Sequence, residues 1–243
     1  MSNEILKNVP LFKCRASQIG SLMTNGRGKD PVMGETAKNY CKDWVISQLT
    51  GHRKEIQSKY LAKGIAVEDV ALVRASEYYG VEFIKNTERK EDDYFTGEWD
   101  SIGGDRVIDV KSSWDAFTFP YFDEQPSKGY YEQLQVYMAL TGLKKASLIY
   151  CLENATTDEI ERRAWSIAKG LDFEEPEIEH WQQAESEMTY DHLPDWMRIK
   201  VYEFERNDEL IEQMQQRVVE ARGYIDSDIV PSLEKMIINF NNK

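Results

Sequence analysis

The sequence predicts an α/β (α+β) fold, with a central mixed β-sheet flanked by helices and a C-terminal helical extension. Three observations carry that expectation. Two segments near the N-terminus have apolar residues at helical spacing. A run of segments rich in Val, Ile, Phe and Tyr follows over 81–119. From there helical and strand patterns alternate to the end. The chain has 243 residues, 41% hydrophobic and 30% charged, enough for one sizeable core. It therefore reads as a single domain, with a core over about 15–150 and a strand and helix extension over about 151–243.

Residues 11–15 read as a short strand, and Ser17 as the N-cap of a short helix through Met23. Residues 25–31 form a loop with two glycines, and its Arg27 and Lys29 lie near a helix start, where a phosphate can be held. Over 34–50, Ala37, Tyr40, Cys41, Trp44, Val45, Gln48 and Leu49 fall on one helical face, with Gly51 as the stop. A second helix spans 58–79 and ends at Gly80. Strands are expected at 81–85, 94–100, 106–112 and 116–119. A helix over 128–141 ends at Gly142, and 145–152 is another strand. Thr156 caps a helix to Lys169, with Glu159 three residues on as a capping box. The acidic stretch 172–187 reads as helical, 198–205 as a strand, and Asp208 begins a long terminal helix with a break near 226–231.

Several function classes are disfavoured. No apolar run approaches the roughly 18 residues of a membrane helix, and the N-terminus lacks a secretion signal, so no membrane association and a cytoplasmic location are expected. Cys14, Cys41 and Cys151 are far apart, with no CxxC pair. HExxH, Walker A and GxGxxG patterns are absent. The net charge of −13 conceals an asymmetry: residues 1–63 carry +6 and residues 64–243 carry −19. A basic N-terminal region can contact phosphates while the rest stays acidic.

The informative stretch is 96–113. Gly103-Gly104 is a good two-residue hairpin turn, which would set Asp100 opposite Val107 and Glu98 opposite Asp109. Side chains repeat every two residues, so Glu98, Asp100, Asp109 and Lys111 project to one face, with Val107, while Ile108 and Val110 point to the other. Three carboxylates and an amine are poor core material, and opposed like charges are destabilising unless compensated. A hard divalent cation such as Mg²⁺ compensates them, and it lowers the pKa of the water it binds. A lysine two residues beyond a carboxylate ligand stands near that water and near the developing phosphoryl charge.

These residues resemble the PD-(D/E)XK nucleases, in which an Asp and an Asp/Glu-x-Lys on adjacent strands bind the catalytic metal. More narrowly, they resemble the phage lambda exonuclease and YqaJ-like viral recombinase group. Residues 63–68, Lys-Gly-Ile-Ala-Val-Glu, are similar to that group's helical Gly-x-x-x-Glu. Residues 130–142, with Gln133-Leu134-Gln135, are similar to its post-core helix, and residues 17–23 to its N-terminal entry. Order and spacing agree across about 15–150.

The resemblance implies a restriction-endonuclease-like core and a metal-dependent exonuclease on double-stranded DNA, 5′→3′ in phage-type recombination. It implies Mg²⁺, with Mn²⁺ as a substitute, a ring-shaped homotrimer and a single-strand annealing protein as partner. Asp100 and Asp109 would be metal ligands, the Val110 carbonyl a third, and Glu68 a further ligand or the holder of a metal-bound water. Lys111 would act on the attacking water, and Gln133 would position that water or Lys111. Ser112, Ser113, Tyr130, Arg27 and Lys29 are the expected substrate contacts. Departures are Trp99 and Ser101 flanking Asp100, the short gap to Asp109, and the extra acid Glu98, whose part in the site stays open. An endonuclease, nickase or resolvase on the same core, or a non-catalytic DNA- or protein-binding module, are the alternatives.

Overall fold

A computed structural model describes residues 9–28, 33–52, 54 and 59–241. β1 (Cys14–Arg15) leads through a 3-10 turn (Ala16–Gln18) into the one-turn α1 (Ile19–Leu22). Two long helices follow, α2 (Glu35–Thr50) and α3 (Lys59–Tyr79). β2 (Lys90–Glu91) and β3 (Phe95–Gly97) join β1 in a small three-stranded sheet, ordered β1-β3-β2. β4 (Ser101–Gly103), β5 (Arg106–Ser112), β6 (Lys145–Cys151) and β7 (Ile199–Glu205) form the main sheet in that order, with only β5 and β6 parallel. α4 (Lys128–Thr141) makes the β5–β6 crossover that a parallel pair requires. α5 (Thr157–Gly170) and α6 (Ile178–Met188) pack on each other between β6 and β7. α7 (Asp208–Tyr224) and α8 (Val230–Asn241) complete the chain.

The expected α/β class holds, and the helix stops at Gly51, Gly80 and Gly142 all have positive φ. The Glu159 carboxylate accepts the Thr156 N–H at 2.9 Å, as a capping box requires. The single sheet expected from the sequence is instead two, because the chain bends at 98–100 between β3 and β4. Residues 81–85 are no strand. Their backbone is held by single bonds, Phe83 N–H to Ser76 Oγ at 2.9 Å and Ser101 Oγ–H to the Ile84 carbonyl at 2.7 Å. Residues 116–119 form a turn, because the Asp115 carboxylate accepts the N–H groups of Phe117 and Thr118. Ser17 lies inside the 3-10 turn and caps nothing. The expected break near 226–231 is a π-helical turn (Ile225–Ile229), whose widened ladder passes Pro231 without ending the helix.

Both faces of the main sheet are covered. On one, Ile108, Val110, Ile149 and Cys151 pack against Ala71, Leu72 and Ala75 of α3 and against Phe83. On the other, Val107, Ala146 and Leu148 join Leu134, Tyr137 and Met138 of α4 and Met214 and Val218 of α7. The site lies on this second face.

Candidate active site

The hairpin carries the chemistry. β5 alternates, so Asp109 and Lys111 share the α4 face with Val107 while Ile108 and Val110 face α3. The turn is Gly104-Asp105, not Gly103-Gly104: Gly103 pairs with Arg106, Ile102 with Val107, Ser101 with Ile108. Gly104 has φ +60°, and a Cβ on Gly103 would lie 2.2 Å from the Phe83 ring. One further step of this register sets Asp100 opposite Asp109. The sequence-based register was wrong by two residues, and a slip of two keeps every side chain on its face. Glu98 is not opposite Asp109; it lies outside the hairpin and pairs with Arg89 at 3.3 Å.

Asp109 has only 3% of its side chain exposed. Its Oδ2 lies 2.6 Å from Lys111 Nζ yet is the acceptor of no well-directed hydrogen bond. Asp100 Oδ2 accepts the Val110 N–H at 2.5 Å. The N–H and C=O of one strand residue point to the same edge, so the Val110 carbonyl also faces the Asp100 side. Burial, then Asp109, with a smaller contribution from Glu68, pushes the Asp100 carboxyl up to about 7; Lys111 and the Val110 N–H act against them. Burial disfavours the Lys111 charge, but Asp109 and Asp100 outweigh it and hold the ammonium above the ordinary lysine range. Its Nζ is 5.4 Å from the Tyr130 ring centroid.

Behind the carboxylates stands α4. Gln133 is buried, and its Nε2–H donates to Tyr137 Oη at 2.7 Å. Burial, then Asp109, keeps the Tyr137 hydroxyl protonated, so its own O–H remains a donor beside the acids. The Trp99 ring stands edge-on to Tyr137 at 6.2 Å. A cleft of about 290 Å³ opens from Asp100 and Tyr137 past Glu68 and is also lined by Arg15, Lys85 and Arg89. A larger one of about 540 Å³ shares Arg15, Arg89 and Thr96 and runs toward Trp44.

The structure thus brings Asp100, Asp109 and Lys111 together, with Gln133 and Tyr130 on the covering helix and Glu68 on the cleft wall. Glu68 is engaged by Lys85 at 3.2 Å. Among the described residues no three carboxylates, histidines or cysteines are arranged to hold a metal; Asp100 and Asp109 are the pair that could grip one. Ser112 is half-buried and pairs with Cys151 at the end of β5, and Ser113 is buried with its N–H on the Cys151 carbonyl at 2.9 Å. Arg27 is exposed in its loop and lines neither cleft, and Lys29 lies outside the described residues. Sequence reasoning missed Tyr137, Lys85 and Arg15. Tyr137 was within reach, standing one turn after Gln133 on the same face. Lys85 was hidden in the supposed strand at 81–85.

The architecture matches solved exonucleases. A phage-related exonuclease from Haemophilus somnus 129PT superposes with a TM-score of 0.76 at 25% identity, covering 93% of this chain and 99% of that one. This chain shares that fold. An alkaline exonuclease (LHK-Exo) from Laribacter hongkongensis gives 0.64 at 18% identity, covering 98% and 99%. LHK-Exo in complex with dAMP gives 0.60 at 20% identity, covering 93% and 94%. No protein-family model matches the chain, and no curated protein matches it.

Proposed function

We propose that this chain is a divalent-metal-dependent exonuclease that hydrolyses phosphodiester bonds of double-stranded DNA. One observation carries the reading: Asp100 and Asp109 stand side by side with Lys111 on a sheet face that is otherwise apolar core. Such an arrangement is destabilising in an empty core and useful only if charge arrives. The likeness to the Haemophilus somnus exonuclease over nearly the full length of both chains supports it.

The residues fit a divalent ion. Asp109 Oδ2 is buried without a directed hydrogen bond, and the Asp100 carboxyl is pushed up to about 7 by its burial and then by the charge of Asp109. Asp100, Asp109 and the Val110 carbonyl would hold Mg²⁺, or Mn²⁺ in its place, with Glu68 reaching it directly or through water. When bound, such an ion polarises the phosphoryl group and lowers the pKa of the attacking water. With Asp109 engaged by the ion, Lys111 would be free to orient that water and offset charge on the phosphoryl oxygens. Gln133 donates to Tyr137 and so holds that hydroxyl in place on the cleft wall beside Asp100. Tyr130 limits where the Lys111 ammonium can go. Arg15, Lys85 and Arg89 provide positive charge for phosphates along the cleft.

The finer expectations belong to the same proposal: 5′→3′ polarity, resection in phage-type recombination, a homotrimeric ring and an annealing protein as partner. The separation of a basic N-terminal quarter from an acidic remainder suits a ring that presents its basic surface inward. Among the described residues no helix is long and apolar enough to cross a membrane.

The test is digestion of end-labelled linear duplex beside covalently closed circular DNA, with Mg²⁺ or EDTA, for wild type and Lys111→Ala. Loss of the linear duplex alone, requiring Mg²⁺ and Lys111, is expected, and the label position reads the polarity. Cleavage of the circle would replace the exonuclease with an endonuclease. Binding of DNA without cleavage under any condition would overturn the enzymatic reading.

A further inference from the structure

The segment between β5 and α4 begins and ends at the site. It leaves at Ser113, two residues past Lys111, and returns at Ser127, the N-cap of the helix whose Tyr130 touches Lys111. Its tip is fixed to the sheet. Lys200 Nζ donates to the carbonyls of Pro120 at 2.6 Å, Tyr121 at 3.2 Å and Asp123 at 2.6 Å, and Tyr202 Oη–H also donates to Asp123 at 2.8 Å. Lys200 is in register with Tyr150, which is in register with Lys111. With strands about 4.8 Å apart, the anchor stands about 10 Å from the Lys111 backbone, on the same face.

On this anchored loop two rings are left in water, Phe122 at 96% and Phe117 at 98% exposure. Phe122 sits between two of the carbonyls that Lys200 holds, so its backbone is fixed while its ring, tilted 6.4 Å from that of Tyr121, keeps its faces in water. The segment 112–127 has no Lys or Arg and carries Asp115, Asp123 and Glu124. A phosphate backbone would be repelled there. A nucleobase offers a π-face that needs no cation.

We infer that Phe122 is a stacking platform for a nucleobase of the DNA strand being cut. A strand advances about 3.4 Å per nucleotide, so an anchor about 10 Å from Lys111 serves a base within about three nucleotides of the scissile phosphate. Phe117 is the second ring of the same loop. The inference rests on the nuclease reading and adds a contact to the base where that reading deals only with phosphates.

The experiment compares wild type, Phe122→Ala, Phe122→Trp and Phe117→Ala on linear duplexes with an abasic site at each of the three nucleotides on either side of the cleaved bond. For wild type, one abasic position should raise KM about tenfold, the usual scale of losing one base stack. Phe122→Ala should show that KM on intact DNA and no further abasic penalty, with kcat unchanged, and Phe122→Trp should restore the wild-type pattern. In EDTA, 2-aminopurine at the same position should be quenched by wild type and not by Phe122→Ala. Equal KM and equal abasic sensitivity in Phe122→Ala would overturn the platform. So would a change in solution mass with KM unchanged, which would assign the ring to a protein contact. Were wild type to cleave in a Lys111-dependent way while Phe122→Ala was silent, only the platform would fall. No DNA binding or cleavage by wild type would remove the nuclease reading with it.

Discussion

Two clusters of buried charge lie near the C-terminal ends of β5 and β6, and they are built to opposite rules. In one, Arg74 of α3 donates two hydrogen bonds to Glu153, at 2.5 and 3.1 Å. Arg198 adds a contact to Glu153 at 3.5 Å, and bonds the Leu152 carbonyl at 3.1 Å and Asp191 at 2.9 Å. Arg74 also reaches Asp195 at 3.3 Å, so two arginines meet three acids, and the donors have acceptors. In the other, Asp100 and Asp109 share one lysine, one acid is pushed toward protonation, and Asp109 Oδ2 lacks a directed bond. The first cluster is complete as it stands and ties α3 to the sheet. The second is short of positive charge, which is what a metal-binding catalytic site needs and a structural network avoids.

The sharpest way to break this contrast is to exchange stability and activity between the clusters. Arg74→Ala removes both hydrogen bonds that Arg74 donates to the buried Glu153, so it should destabilise the protein by about 3–5 kcal/mol in urea denaturation. Cleavage measured well below the melting temperature should stay within a few-fold of wild type. Lys111→Ala should lower the cleavage rate by about 10²–10³-fold, and the stability it loses by leaving Asp109 without its lysine should be recovered when Mg²⁺ is added, whereas Mg²⁺ should not rescue Arg74→Ala. If Arg74→Ala lost activity at full foldedness, or Lys111→Ala stayed destabilised in Mg²⁺, the division into structural and chemical clusters would be wrong.

Asp100 gives the contrast a pH signature. Its folded-state pKa, about 7, lies above the ordinary aspartate value of 3.8. The folded state therefore holds this proton more tightly than the unfolded state does. Its contribution favours folding at low pH and fades as pH rises from about 4 to about 7, above which the full penalty of the ionised acid remains. In EDTA, wild type should thus lose up to a few kcal/mol from this group between pH 4 and pH 8. Asp100→Asn should flatten that slope, and Mg²⁺ at pH 8 should stabilise wild type but not Asp109→Asn. The same slope in Asp100→Asn and wild type would mean that burial and Asp109 do not raise the Asp100 carboxyl.

What the sequence revealed of this site, and what it hid, follows from the range of the interactions. Side-chain parity along β5 is a local property of period two, so the shared face of Asp100, Asp109 and Lys111 was legible even with the hairpin turn misplaced by one residue. The helix stops at Gly51, Gly80 and Gly142 are equally local. The bend at 98–100 was not legible, because it depends on Asn86 N–H reaching the Asp100 carbonyl at 2.7 Å and on Ser101 reaching Ile84. Nothing in the hydrophobic pattern of 94–100 marks those bonds. The turn at Asp115 fails the same way: Phe117 and Phe119 look like strand residues until one carboxylate takes the N–H groups of Phe117 and Thr118.

Tyr137 lies between these cases. Tyr137→Phe keeps the ring under Trp99 and removes the acceptor of Gln133 Nε2, leaving a buried donor unpaired. A stability loss of about 1–3 kcal/mol is expected from that orphaned amide. A fall in cleavage of about tenfold should accompany it if the pair positions the acids. Gln133→Leu in the same background should recover the stability and not the rate. Recovery of both would reduce the pair to packing.

The smallest expected effect concerns Glu98, the acid that the sequence placed in the site. It is adjacent to Asp100 in space and lines the same cleft, so proximity alone would make it a ligand. Its side chain is 46% exposed and faces Arg89, itself 45% exposed, at 3.3 Å. An ion pair in that much water contributes about 0–1 kcal/mol, against the several-fold larger penalties inside the carboxylate pair. Glu98→Gln should therefore leave stability within about 0.5 kcal/mol and cleavage within about twofold, with the Mg²⁺ concentration for half-maximal rate unchanged. A tenfold rise in that Mg²⁺ requirement would instead mean that Glu98 leaves Arg89 for the metal when the site is charged, and that the cleft closes on its ligand rather than waiting preformed.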